Sequence, residues 1–430
     1  MSPNSNENQI KIVIWGMGGF VHQHKEDIKK FSSKFDIVAF TDSYCNEEKS
    51  WNQYTVLPAE NLNRINWDYI SIFSNDEWKI RKTINELKLC NPNRIITFIE
   101  LSLMYEFDMD VDDVYDRLTR SLPHDLSRSM QKRRIYRYLV NKYSYILFEE
   151  KYKELTLKKK KEIINIRPIW FFWHSGLDNA PKIVQVCHSS IERALGKNDN
   201  LFLLDMNNIT EYIDIPEYIL LKHEQGIIDH TRFADFIRVS LLNTYGGVWV
   251  DSTVYLLSNN PPTQLNTNDL FMYHIQEKGL EAGDPQVVAS WLIVANKESV
   301  ILKSLQALLY EYWHKENTVV DYFFFHLFVT MSANYYRDEW NKMDIVLRST
   351  SNRLIRLLNR KMEQPIISEI VGMHSIQKLS LKTVLDESEN SVWHYMLSCA
   401  ESHMALKDYI DEDYCLGERY ETNDISPRHA

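Results

Sequence analysis

Read for hydrophobic spacing, the chain changes its period along its length. From residue 10 to about 100, short runs rich in β-branched residues recur: IKIVIW (Ile10–Trp15), DIVAFT (Asp36–Thr41), DYISIF (Asp68–Phe73) and RIITF (Arg94–Phe98). The stretches between them, such as HQHKEDIKKFSSKF and EWKIRKTINELKL, repeat their apolar residues at helical spacing. Strand and helix patterns in alternation predict βαβ units and a parallel, Rossmann-like sheet over 1–100. Over 101–165 the strand pattern stops. RRIYRYLVNKYSYILFEEKYKEL sets Tyr and Leu at helical spacing among clustered charges and leads to Lys158–Lys161, which predicts a helical linker. A second α/β unit is predicted over 166–430. PIWFFW, LFLLD (Leu201–Asp205), VWVDSTVYLL, DLFMY (Asp269–Tyr273) and ASWLIVA (Ala289–Ala295) read as buried strands. SVILKSLQALLYEYW and VDYFFFHLFVTMSANYY read as long helices.

Composition narrows the class of protein. A chain of 430 residues predicts two or three domains, and 44% apolar with 25% charged residues is an ordinary globular balance. A formal charge of −10 argues against nucleic acid as the main partner. Cys45, Cys90, Cys187, Cys399 and Cys415 are dispersed, which predicts reduced thiols in a cytoplasmic protein. MSPNSNENQ lacks the apolar core of a signal peptide, and no run reaches the roughly 18 apolar residues that span a bilayer. Membrane association is therefore expected to be peripheral, with the charged, tyrosine-rich 130–165 stretch either the contact or a solvated helix packed on its neighbour.

Two stretches carry candidate chemistry. WGMGGF sets Gly16, Gly18 and Gly19 directly after the first strand, and Asp42 ends the second where a ribose-binding acid would lie. Val21 stands where the third glycine of a dinucleotide fingerprint belongs, so a nucleotide site and a plain tight turn both remain open. This stretch resembles the small Rossmann-like domains attached to bacterial polysaccharide-synthesis enzymes, which implies no definite activity.

The second stretch is RFADFIRVSLLNTYGGVWVDSTVYLL, Arg232–Leu257. A helix over 231–244 would place Asp235 and Arg238 on one face, beside a buried stripe of Phe233, Ile237 and Leu241. Gly246 and Gly247 suit a helix cap and turn, after which a strand delivers Asp251. The plain reading is an intrahelical ion pair and a turn carboxylate beside Ser252 and Thr253. The alternative is a ligand site, because open α/β sheets bind beyond the carboxyl ends of their strands.

From Pro168 onward, IWFFWHSGLDNAP, YIDIPEYILLKHEQGIIDH, FADFIRVSLLNTYGGVWVDSTV, SWLIVANKES, LLYEYWHKENTVVDYFFFHLF and HSIQKLSLK follow one another in an order that resembles the capsular polysaccharide synthesis glycosyltransferases, relatives of the DXD sugar transferases. The resemblance implies a GT-A type α/β fold that takes a nucleotide-sugar donor with Mn²⁺ or Mg²⁺. It implies that Trp173 stacks on the nucleotide base with Phe172 beside it, that Asp235 accepts from sugar hydroxyls, and that Arg238 braces sugar or phosphate. Asp251 falls at the first acid of the DXD motif and Thr253 at the second, with His374 as a further metal ligand and Lys378 set for the leaving diphosphate. Gln377 stands where the family carries His. Asp321 would lie near the anomeric carbon in a retaining transfer, or simply cap its helix, and His326 reads as core. The expected activity is transfer of a hexose or N-acetylhexosamine from a UDP-sugar to a capsular or surface polysaccharide acceptor, a glycan or lipid-linked glycan. Two other readings stay open: an NAD-dependent sugar-nucleotide oxidoreductase or epimerase acting through the N-terminal glycines, and a capsule-assembly scaffold whose donor site has decayed at Thr253. The missing third glycine and the lack of a Tyr-x-x-x-Lys pair count against the first.

Overall fold

The computed structural model describes residues 9–153, 158–197, 199–259, 263–266, 269–282 and 284–410. The leading MSPNSNEN and Cys415 lie outside them. The chain divides into two compact units, one of residues 1–152 with Val320–Tyr335, the other of residues 153–319 with 336–430. The stretch expected to be a linker is therefore shared out, its helices up to residue 152 counting with the first unit.

The first unit is built on six strands: β1 (Lys11–Trp15), β2 (Asp36–Asp42), β3 (Lys49–Trp51), β4 (Tyr54–Pro58), β5 (Tyr69–Ile72) and β6 (Ile95–Thr97). Their order is β3-β4-β2-β1-β5-β6, parallel except for the β3–β4 hairpin. Alternate residues of β1 serve opposite faces. Ile12 and Ile14 join Phe31, Phe40 and Phe73, while Val13 and Trp15 join Ile70 and Ile80. Both faces are covered, which is why the strand is apolar without alternation. The hairpin is absent from the strand pattern predicted above; it turns at Asn52, whose φ of 53° is one Asn tolerates. Helices Phe98–Phe107, Val111–Ser121 and His124–Tyr143 follow, and helix Phe324–Tyr335 returns to them with Phe328 edge-on to Tyr143 at 5.7 Å. This last helix, expected within 166–430, is grouped with the first unit.

In the second unit β7 (Arg167–Phe172), β8 (Asp199–Leu204), β9 (Gly247–Val250), β11 (Phe271–His274) and β12 (Val288–Ala295) form a sheet of order β11-β12-β9-β7-β8, and β10 (Val254–Leu256) pairs with β13 (Ile376–Lys378). The β8-β7-β9 part is parallel and the β12 and β11 strands run antiparallel. Trp170 of β7 packs on Phe202 and Tyr245, while Ile169 and Phe171 join Val184 and Val250 on the opposite face. The α/β architecture is thus as the hydrophobic pattern predicts, with one difference. VWVDSTVYLL is two strands, not one, because Asp251–Thr253 form a turn that hands the chain from the main sheet to β13.

The helix expected over 231–244 spans His230–Tyr245, opened by Asp229, whose carboxylate accepts the Arg232 N–H. It is closed by Gly246 at φ 73°, whose N–H donates to the Leu242 carbonyl. Gly247 has φ 97°, and a Cβ there would stand 2.1 Å from the Pro168 carbonyl oxygen, so β9 can lie against β7 only with glycine at this position. No helix among the described residues is long and apolar enough to cross a membrane. Within the lysine run, Lys159, Lys160 and Lys161 are ion-paired to Glu162, Asp214 and Glu211.

Candidate active site

The turn after β9 is held from both sides. The Asp251 N–H donates to the Trp291 carbonyl at 2.8 Å and its own carbonyl accepts from Val254 at 3.0 Å. Trp249, two residues earlier and so on the same strand face, donates its indole N–H to Asp251 Oδ1 at 2.9 Å. Into this corner the helix His230–Tyr245 sends Arg238. Its Nη2 lies 3.2 Å from Asp235 Oδ1 and 3.4 Å from Asp251 Oδ1. Its Nη1 donates to the Ser290 carbonyl at 2.6 Å, and the guanidinium sits 5.1 Å over the Trp249 ring. The intrahelical pair is therefore one half of a bridge that ties the helix to the turn. Arg238 and Asp235 are buried, while the Asp251 side chain keeps 27% of its surface exposed.

Burial dominates the electrostatics here. It pushes the Asp235 carboxyl up to about 6, against the pull of Arg238 and with the help of the nearby Asp251 charge. Pairing of Val254 with Lys378 across β10 and β13 brings a second cation to the turn. The Lys378 ammonium donates to the Thr253 hydroxyl and to the Leu379 carbonyl. Burial lowers its proton affinity and Asp251 opposes that. Asp235, Asp251, Arg238 and Lys378 thus form a group of two acids and two bases with one carboxylate open to solvent.

A divalent cation can be weighed against these donors. Among the described residues no three His, Cys, Asp or Glu side chains are grouped to hold a metal ion. Asp251 accepts Trp249 and faces Arg238 through Oδ1, and its side chain stays partly exposed. One carboxylate completed by substrate phosphate oxygens is the usual arrangement for Mg²⁺, so the residues fit a cation that arrives with a diphosphate. Thr253 is buried with its hydroxyl taken by Lys378. His374 takes the Ile376 N–H on Nδ1 at 3.2 Å, stands edge-on to Tyr273 and makes no hydrogen bond or ion pair with Asp251 or Thr253. Gln377, directly before Lys378, is fully buried. Its amide accepts from the Arg353 and Leu354 N–H groups and donates to the Thr350 and His374 carbonyls. That is a structural plug, not a ligand.

The remaining expected residues divide. Trp173 follows β7 and is partly exposed, with its backbone N–H on the Leu204 carbonyl. Phe172 is instead buried against Phe233 at 6.3 Å, because adjacent strand residues point to opposite faces. Asp321 counts with the first unit, and its carboxylate accepts the Phe323 N–H at 2.7 Å, in the turn ahead of helix Phe324–Tyr335. Two features escaped the sequence pattern. One is Trp249, legible as an aromatic two residues before an acid in a strand. The other is a histidine group at the head of the Asp235 helix, where His174 stacks on His230 at 4.1 Å and His223 on Phe233 at 4.3 Å.

Comparison with known proteins points the same way. Residues 8–96 match the family described as C2185-like, N-terminal. A protein of Annulohypoxylon truncatum named O-glycosyltransferase braB is 30% identical over 108 residues, 23% of this chain and 26% of that protein. A Fusarium pseudograminearum (strain CS3096) protein named probable glycosyltransferase FCK3 is 27% identical over 169 residues, 37% of this chain and 42% of that protein. Both are fungal, and the chain spans about a quarter of the first and two-fifths of the second. Residues 119–397, more than half the chain and the whole of the site around Arg238, match the family described as capsular polysaccharide synthesis protein, and to that family the chain belongs.

Proposed function

We propose that this protein is a glycosyltransferase that moves a hexose or N-acetylhexosamine from a UDP-sugar to a capsular or surface polysaccharide acceptor, a glycan or lipid-linked glycan, with Mn²⁺ or Mg²⁺. The observation that carries this reading is the bridge from Arg238 to Asp235 and Asp251, with the partly exposed Asp251 carboxylate just beyond the end of β9 and Lys378 on the turn's Thr253. Asp251 would hold the cation together with the donor's phosphate oxygens, and the ion when bound supplies positive charge to the departing diphosphate. Lys378, leaving the Thr253 hydroxyl, has a free choice of phosphate oxygen because an ammonium is a point donor. Arg238 fixes both carboxylates before the substrate arrives, so no reorganisation is needed as charge develops. Asp235, buried beside it, suits acceptance of a sugar hydroxyl. Trp173 offers a ring to the base. Retention, and any part for Asp321 in it, rests on the family resemblance. So does work at the inner membrane face, where the ion-paired lysines 159–161 supply no free cationic patch.

The test is a thermal-shift series with UDP, GDP and CMP, each with and without Mn²⁺, on wild type and Asp251→Ala. A ligand at a hundred times its dissociation constant adds about 2.7 kcal/mol. The expected result is a Mn²⁺-dependent UDP shift that the variant loses, together with UDP-sugar turnover. An equal Mn²⁺-dependent shift in both proteins would remove Asp251 from the site.

A further inference from the structure

The first unit holds a cavity of about 490 Å³ that the transferase reading does not use. Its place is set by topology. The chain leaves β1 for β2 on one side and later returns to add β5 on the other, so the loops after these three strands diverge and open a crevice. Such switch points are where parallel sheets bind ligands, and the volume lies within the ~300–1,000 Å³ of small-molecule sites.

The glycines of WGMGGF have two different explanations. Gly16 is required by the fold, since it sits at φ 134° and a Cβ there would be 2.4 Å from the Phe73 carbonyl oxygen. Gly18 and Gly19 are not. Gly18 has an ordinary φ of −79°, and a Cβ at either position would meet nothing within 4 Å. Both line the cavity, and no packing against protein excludes a side chain there. A tight turn alone accounts for Gly16 and leaves the other two unexplained.

Across from them, Asp42 is fixed at the rim. Its Oδ2 accepts the Met17 N–H and its Oδ1 the Tyr44 N–H, both at 3.0 Å. Each carboxylate oxygen keeps a second lone pair for a hydroxyl. Tyr44 is 77% exposed, yet its ring is held, with Lys79 Nζ 2.6 Å from the phenol oxygen and 4.8 Å from the ring centroid. The ammonium retains further N–H donors toward the same cavity.

We infer that this cavity is a second ligand site, for a nucleoside phosphate. The phosphate lies along the Gly18–Gly19 backbone within reach of Lys79, the ribose hydroxyls donate to Asp42, and the base covers the Tyr44 ring. The site is independent of Asp251 and of divalent metal.

The experiment uses the full chain carrying Asp251→Ala, in EDTA, titrated with ADP, UDP and NADH by calorimetry. Binding of at least one of them at one site per chain is expected. Adding Gly18→Val should leave the melting temperature unchanged, because the position is sterically open, and weaken binding by about tenfold or more. Lys79→Met, which removes a charged hydrogen bond, should weaken it by a similar factor. The inference is overturned if none of the three nucleotides binds, or if the Gly18→Val chain binds as its parent does.

Discussion

The Asp235 carboxyl offers a quantitative check on the arrangement around Arg238. Burial holds it at about 6, against 3.8 for a solvated aspartate, with Arg238 pulling down and Asp251 pushing up. A carboxyl raised in the folded state binds its proton more tightly there than in the unfolded chain, so it favours folding below 3.8 and the advantage is lost as pH rises through 6. The two-unit difference corresponds to about 3 kcal/mol, of which about 2.5 kcal/mol is gained between pH 7 and pH 4. Asp235→Asn keeps the shape and removes the titration. The measurement is urea unfolding of wild type and variant at several pH values between 7 and 4, following the transition of the second unit. Titrating groups remote from Asp235 cancel in the difference between the two proteins. Wild type should gain on the variant by about 2.5 kcal/mol as pH falls to 4. A flat difference, or one that grows as pH rises, would mean that Arg238 outweighs burial and that the account of this corner is wrong.

Two further outcomes follow from the same geometry. Gly247→Ala should cost about 3 kcal/mol or more, read as a lowered melting temperature, since its Cβ would collide with the Pro168 carbonyl at a φ of 97°; a melting temperature like wild type would refute the close packing of β9 on β7. Lys378→Met should keep or raise the melting temperature at neutral pH, because burial already disfavours the ammonium, while UDP-sugar turnover falls by about 10²-fold. Loss of both together would make Lys378 a structural residue.

The sequence pattern was informative where a strand is buried on both faces or a helix has a cap. The runs IKIVIW and ASWLIVA gave their strands to within a few residues, and Gly246 with Gly247 marked the end of the Asp235 helix. It was silent where the deciding contact is distant. VWVDSTVYLL is apolar on both sides of Asp251, and only the pairing of β10 with β13, more than a hundred residues on, breaks it in two. The β3–β4 hairpin was missed because Lys49 and Ser50 are exposed and supply no apolar run. In the site, Asp235, Arg238 and Asp251 could be nominated from spacing and resemblance. That one guanidinium serves both carboxylates depends on the approach of the helix to the sheet, which periodicity does not encode. Likewise an acid that turns the chain ahead of a helix and the acid of a catalytic group look alike in one dimension, and at Asp321 the spacing alone does not separate them.

The way the two units share the chain bears on its synthesis. Helix Phe324–Tyr335, with nine of its residues buried, belongs to a unit whose other residues, apart from the four directly before the helix, precede 153. During translation all of 153–319 must be made before this helix exists, a delay of roughly ten to thirty seconds at ribosomal speeds. Until then the nascent N-terminal unit shows the surface around Tyr143 that Phe328 later covers. A truncated product ending near residue 152 would expose it permanently. The first sheet can thus form early on the ribosome, while its helical layer is completed only when most of the transferase unit has emerged.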